Sequence, residues 1–230
     1  MGANASGYYV RVPVWSVALR LYHWTFALSC ITLILTGLYI NYPPISTWAE
    51  FMPSFSMATM RTWHFAAAFF FMSALAVRFY LYLFGNRYEK IQDCTPVSVR
   101  NIKSLFHAIM FYLYMLKEHE ARPGHNVLAG TFYCFVVFIS LLMIVSGLYL
   151  MYPETGWIQS MGNAIFGSQQ MARFIHYAMT WFFIFFTMIH VYLCIWNDIF
   201  GSEGIISGIF SGRKMLPADA VAKDGTIETE

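Results

Sequence analysis

Charge is scarce in this chain. Only 11% of its 230 residues are Asp, Glu, Lys or Arg, against about 25% in a soluble domain, which excludes a solvated surface over most of its length. Cysteine is scarce as well. Cys30, Cys94, Cys134 and Cys194 show no CxxC or other metal-ligand spacing, which removes zinc ribbons and thioredoxin-like redox motifs. The absence of CxxCH removes covalent haem attachment. Three of the four cysteines lie in apolar runs and read as small hydrophobes. The first apolar run is too long for a signal-peptide core and has no small-residue cleavage pattern after it, so it is expected to remain as an uncleaved span.

The chain is rich in apolar and aromatic residues: 58% is hydrophobic, with 22 Phe, 15 Tyr and 7 Trp. These residues concentrate in four runs, at about 22–42, 63–84, 131–152 and 174–196, each long enough to cross a hydrocarbon core of ~30 Å. The pattern predicts an all-α integral membrane protein, a four-helix transmembrane bundle over residues 22–200. An N-terminal segment, 1–21, precedes it, and a polar tail, 201–230, follows and is expected to be soluble and partly disordered. A twelve-residue run, Leu105–Leu116, is flanked by Lys103 and Lys117; its length suits a helix lying in the interface better than a fifth span.

Orientation follows from the basic residues. Four spans put the N-terminus, the 85–130 connection and the tail on one side, with Arg11, Arg20, Arg87, Lys90, Arg100, Lys103, Lys117, Arg122, Arg213, Lys214 and Lys223. The other side has only Arg61 and Arg173. Eleven against two places both termini in the cytoplasm. An internal repeat adds a second constraint. Ile34-Leu35-Thr36-Gly37-Leu38-Tyr39-Ile40-Asn41-Tyr42-Pro43 matches Ile144-Val145-Ser146-Gly147-Leu148-Tyr149-Leu150-Met151-Tyr152-Pro153. Each copy closes a span, and a histidine opens the next, His64 or His176. The bundle therefore reads as two related hairpins.

Histidine inside a span is costly unless it is paired or ligating. His176 and His190 are fourteen residues apart on the fourth span, which is ~40° short of four helical turns and about 21 Å of rise. One helix thus presents two imidazoles from one face at two depths. The topology matches His64 with His176 at the outer level and His23 with His190 at the inner one. Two ligands per level suit haem iron, whereas zinc prefers four close ligands. A bis-imidazole haem is coordinatively saturated and moves electrons; without CxxCH it is haem b, at two predicted sites.

Further residues fit the same scheme. Arg20, Arg61 and Arg173 each precede a histidine by three positions, and Arg78 follows His64 by fourteen. On a helix these guanidiniums share the ligand face and are candidates to pair with haem propionates; ordinary interfacial arginine is the alternative. Gly37, fourteen after His23, and the equivalent Gly147 are either clearances for porphyrin or helix-packing positions. His125 and Asn126 open the third span on the cytoplasmic side and are candidate hydrogen-bond donors to a quinone; equally, Asn126 reads as a helix cap. His107 and His119 read as interfacial or solvated.

Arg20-Leu21-Tyr22-His23-Trp24 with Thr36-Gly37 downstream resembles a signature of the b-type cytochrome subunit of membrane-bound nickel–iron (NiFe) uptake hydrogenases. So does the pattern His176, Trp181, Phe183, Phe186, His190. Gly85-Asn86-Arg87-Tyr88, Gly124-His125-Asn126 and the stretch from Asp198-Ile199 to Gly212 also resemble that family. The resemblance covers roughly residues 10–215. Departures at Thr25, Cys30, Phe174 and Tyr177 remove no ligand.

The resemblance implies a subunit of the bacterial inner membrane that anchors the hydrogenase small and large subunits at the outer face. It implies electron transfer from the small subunit's iron–sulfur chain to membrane quinone, menaquinone or ubiquinone, with His23, His64, His176 and His190 as haem ligands. The outer loops, 43–62 and 153–173, would face the small subunit. Such a chain is an electron-transfer subunit of a hydrogen:quinone oxidoreductase and not itself catalytic for hydrogen. Two alternatives are a γ subunit of the formate dehydrogenase type and a haem-free membrane anchor. The orientation is directly testable. A fluorescent-protein fusion at the C-terminus is expected to fluoresce and an alkaline phosphatase fusion there to be inactive, with the opposite result for fusions in the 153–173 loop.

Overall fold

The computed structural model describes residues 9–43, 55–96, 98–116, 124, 126–200, 204–218 and 221. Strand β1 (Tyr9–Pro13) is followed by α1 (Val17–Asn41), α2 (Phe55–Phe84), the short α3 (Ile91–Cys94) and α4 (Val99–Tyr112). Then come α5 (Val127–Met151), α6 (Gly156–Phe166), α7 (Gln169–Phe200), α8 (Ile205–Ser211) and β2 (Arg213–Pro217). Four helices, α1, α2, α5 and α7, are long and apolar enough to cross a membrane. The shortest of them have 25 residues, about 37 Å at 1.5 Å per residue. The chain is a multi-pass membrane protein, and most of its described residues are helical.

The ends of these helices follow from local chemistry. Ser16 Oγ accepts from the Leu19 amide at 3.1 Å, Asn126 Oδ1 from Leu128 at 2.9 Å and Ser168 Oγ from Met171 at 3.2 Å. Each satisfies one of the donors a helix start leaves over. Helices α1 and α5 stop just before Tyr42-Pro43 and Tyr152-Pro153, where the residue before proline is pushed out of the helical region. Along α1, Leu28 and Leu35 are exposed, seven residues apart on one stripe, as a lipid-facing side requires.

The chain packs as two compact units. One consists of Tyr22–Ala76 and Phe138–Met188; the other of Met1–Leu21, Val77–Val137 and Ile189–Glu230. In the first, segments of α1, α2, α5 and α7 form a bundle. Phe26 of α1 stacks on Phe71 of α2 at 4.6 Å between ring centroids, and Phe71 meets Phe183 of α7 edge-on at 6.1 Å. Helix α6 lies in the 153–173 stretch that its three glycines mark as a loop. One of those glycines explains the helix. A Cβ at Gly162 would run into the ring of Tyr149, which is buried and donates its hydroxyl to Asn163 Oδ1.

In the second unit β1 and β2 pair antiparallel, Tyr9 with Pro217 through Pro13 with Arg213. Val12, Val14, Tyr88, Leu216 and Val221 form a small core there. The polarity after residue 200 predicts a loose tail; residues 205–217 instead form α8 and β2, and 222–230 lie outside the described residues. Asp198 orders the turn by accepting from the Ile205 and Ile206 amides at 2.5 and 3.1 Å. At Gly212, with φ of 80°, a Cβ would press on the Trp15 carbonyl at 2.7 Å, so the close return of the chain depends on glycine. The run around Leu105–Leu116 forms α4 only as far as Tyr112. Its exposed side carries Val99, Ile102 and Phe106 while Asn101 and Ser104 are buried.

The Gly85-Asn86-Arg87-Tyr88 turn has a structural task. Asn86 Nδ2 donates to the Val14 carbonyl at 2.9 Å. Glu89, 1% exposed, accepts from the Ser16 amide at 2.8 Å and the Asn86 amide at 3.1 Å. Its carboxylate thus ties the start of α1 to the turn after α2. Glu89→Ala strands both amides and is expected to destabilise the protein by about 1–3 kcal/mol. Glu89→Gln keeps an acceptor and is expected to lose less; thermal unfolding of the two variants in detergent checks the order.

Candidate functional site

Two hairpins deliver the same construction to one place. In the first, Thr36 near the end of α1 bonds its hydroxyl to Nδ1 of His64 on α2 at 2.9 Å. In the second, Ser146 near the end of α5 bonds Nδ1 of His176 on α7 at 2.8 Å. Thr36 and Ser146 occupy equivalent positions in the internal repeat, each one residue before the repeat's glycine. The two imidazoles face each other with ring centroids 6.5 Å apart and planes inclined by 58°.

The acceptors around each hydroxyl favour one tautomer. Thr36 has one hydroxyl hydrogen, directed to the Thr32 carbonyl at 2.6 Å, with Leu33 at 3.3 Å. Ser146 directs its hydrogen to the Met143 carbonyl at 3.1 Å. Each hydroxyl oxygen therefore accepts from the imidazole, so Nδ1 bears the proton and Nε2 keeps its lone pair.

The glycines serve these rings. A Cβ on Gly37 would stand 3.3 Å from His64 Cε1, and one on Gly147 would stand 3.4 Å from His176 Cε1. Of the two readings of these glycines, the structure shows close approach of an imidazole edge to a helix backbone. Neither glycine was expected to meet a histidine.

Two facing imidazoles suit a metal-bearing group held between them. With a metal–nitrogen distance of about 2 Å and about 1.1 Å from nitrogen to ring centre, imidazoles facing each other across a metal would have ring centres about 6.2 Å apart, close to the observed 6.5 Å. Among the described residues no three His, Cys, Asp or Glu side chains gather to hold an ion by themselves. A pair of imidazoles would suit a group such as an iron porphyrin, which brings its other ligands with it. Two turns further along the same helices, Phe71 and Phe183 are both buried and close the space on one side with apolar surface.

The other candidates are placed differently. His23 is half-buried on α1, edge-on to Trp24 at 5.2 Å. It belongs to the unit of His64 and His176, whereas His190 belongs to the other unit. His190 lies edge-on to Tyr133 at 6.0 Å, with its Nε2 3.8 Å from Cys194 Sγ one turn further along α7. Arg20 donates through Nη1 to the Phe210 carbonyl of α8, and so serves the return of the chain's end. Arg61 is exposed. Arg173, also exposed, donates to Gln170 Oε1 at 3.2 Å. Arg78 is buried, with its guanidinium 4.0 Å above the ring of Tyr82. Asn126 caps α5, the alternative open for it from sequence; His125 lies outside the described residues. From sequence, Thr36 enters only within the Thr36-Gly37 pattern and Ser146 only within the repeat, with no role beside a histidine, although a hydroxyl before each glycine was a visible signal.

Residues 14–212 match the family described as prokaryotic cytochrome b561. Relatives extend along nearly the whole chain. A "Probable Ni/Fe-hydrogenase B-type cytochrome subunit" of Cupriavidus necator is 31% identical over 224 residues, 93% of this chain and 91% of that protein. One of Bradyrhizobium diazoefficiens is 32% identical over 220 residues, 89% and 86% of the two chains. A "Probable Ni/Fe-hydrogenase 1 B-type cytochrome subunit" of Escherichia coli K12 is 26% identical over 210 residues, 87% and 89% of the two chains. Four membrane-length helices, a facing imidazole pair repeated from each hairpin and a match spanning most of the sequence lead to one conclusion: this chain belongs to the prokaryotic cytochrome b561 family.

Proposed function

We propose that this chain is the b-type cytochrome subunit of a nickel–iron hydrogenase, a membrane anchor that carries electrons from the small subunit's iron–sulfur chain to membrane quinone. The observation that carries the reading is the His64–His176 pair, 6.5 Å apart with both Nδ1 atoms engaged. The names of the relatives in Cupriavidus necator and Escherichia coli support the hydrogenase.

His64 and His176 would hold one haem b through Nε2, and His23 and His190 are the candidates for a second. When bound, the haem would supply one-electron transfer. The residues do the remainder. The hydroxyls of Thr36 and Ser146 fix the outer rings, and Phe71 and Phe183 keep water from the space beneath them. Arg61 and Arg173, on the sparsely charged outer side, are available to the propionates of the outer haem. Arg78, fourteen residues after His64, is assigned to the inner one. Arg20 is engaged with Phe210, and we assign it to anchoring the chain's end. Both termini are cytoplasmic by the charge distribution, so the 153–173 stretch with α6 faces the small subunit. The quinone is reduced near the cytoplasmic start of α5, with the segment around His125 and Asn126 beside it.

Haem quantification on the intact complex tests this reading. Two haems b per chain are expected, with a b-type α-band in the reduced-minus-oxidised spectrum. His64→Ala and His176→Ala are each expected to remove the same single haem, and His23→Ala and His190→Ala the other. A colourless wild-type preparation would sink the cytochrome, and co-purification with a molybdenum subunit instead of a nickel–iron one would sink the hydrogenase.

A further inference from the structure

We infer that Thr36 and Ser146 are positioning residues that set the redox poise of the outer haem, by holding both of its axial imidazoles in the Nδ1–H tautomer with hydroxyls already polarised by helix carbonyls. This inference rests on the proposed haem ligation by His64 and His176.

Serine and threonine in buried helices commonly turn their hydroxyls back to the carbonyl four residues earlier. Thr62, Ser73, Thr131 and Thr180 do so here, at 3.0, 2.8, 2.8 and 3.0 Å. Thr36 does the same toward Thr32, and Ser146 bonds the carbonyl three back, but each also meets a ring nitrogen of the next helix. Both hydroxyls are buried, Thr36 at 6% exposure and Ser146 at 0%, so no water competes for the imidazole proton. A hydroxyl that donates to a carbonyl is a stronger acceptor in turn. The N–H of each ring therefore leans toward imidazolate, and a more basic ligand favours the oxidised iron.

The device is doubled by the repeat and acts on both faces of the same haem. The glycine that follows each hydroxyl lets the ring come this close, since Cε1 lies where a Cβ would crowd it. His190 has a different neighbour on its own helix, the Cys194 sulfur at 3.8 Å.

The test is a spectroscopic redox titration of the purified intact complex carrying Thr36→Val, Ser146→Ala, both together, or Thr36→Ser. Each single loss of a hydroxyl is expected to raise the midpoint potential of the outer haem. In the double variant the ratio of reduced to oxidised outer haem, measured at the wild-type midpoint, is expected to rise about tenfold, a shift of about 59 mV for a one-electron couple. Thr36→Ser is expected to titrate like the wild type, and the second haem to keep its potential in every variant. An unmoved outer potential in the double variant overturns the inference while leaving the ligand assignment intact. If Thr36→Val sheds the outer haem, retention of it in Thr36→Ser supports the hydroxyl's role, and loss in both variants overturns it. If His64→Ala and His176→Ala leave the outer haem in place, the ligand assignment falls and takes the inference with it.

Discussion

A histidine in the middle of an apolar bundle needs both of its ring nitrogens placed, because no water is at hand to satisfy whichever one is left over. That requirement organises the upper part of this protein. At His64 and His176 one nitrogen is committed to a hydroxyl from the preceding membrane-length helix, so the other is fixed in direction and protonation. The helix ends, the glycines and the buried phenylalanines can be understood from that point. Each hairpin must bring its small-residue pair, Thr36-Gly37 or Ser146-Gly147, against the imidazole of the next long helix. The two hairpins must then meet with the rings facing.

The duplication makes this economical. The same ten-residue pattern ends α1 and α5, so one solution to the orientation of a buried imidazole is used twice, and the pair arises when the copies pack together. The second hairpin carries an addition. Helix α6 covers Tyr149, whose equivalent in the first hairpin is Tyr39; the stretch after that first copy lies mostly outside the described residues. Ile158, Phe166 and Ala172 join Tyr149 in one buried cluster, which braces the end of α5 and the start of α7 beside His176.

Much of this was legible in the sequence. Four uninterrupted apolar runs can hardly be anything but spans, and prolines at 43 and 153 marked where two of them end. Spacing alone put His64 and His176 at the head of neighbouring helices. What stayed hidden depended on contacts with no periodic signal. The helices exceed their apolar runs, since α2 begins at Phe55 and α7 at Gln169, the latter behind the Ser168 cap. Helix α6 was obscured by Gly162, a residue that suggests a loop until the Tyr149 ring beside it is seen. Arg20 occupies the sequence position of a propionate partner, but its guanidinium meets a carbonyl that only the returning chain end could supply. The hydroxyls of Thr36 and Ser146 looked like ordinary small residues of a packed helix.

The pairing of β1 with β2 has a consequence for biosynthesis. Tyr9 precedes all four membrane-length helices in the chain, yet its partner Pro217 follows them. The amide of Val14 likewise waits for the carbonyl of Gly212, at 2.9 Å in the finished fold. Until then α1 enters the bilayer with its amino-terminal end unfastened. Closure of this small sheet therefore needs strands from both sides of the four membrane-length helices, so it can form only once all four have been made.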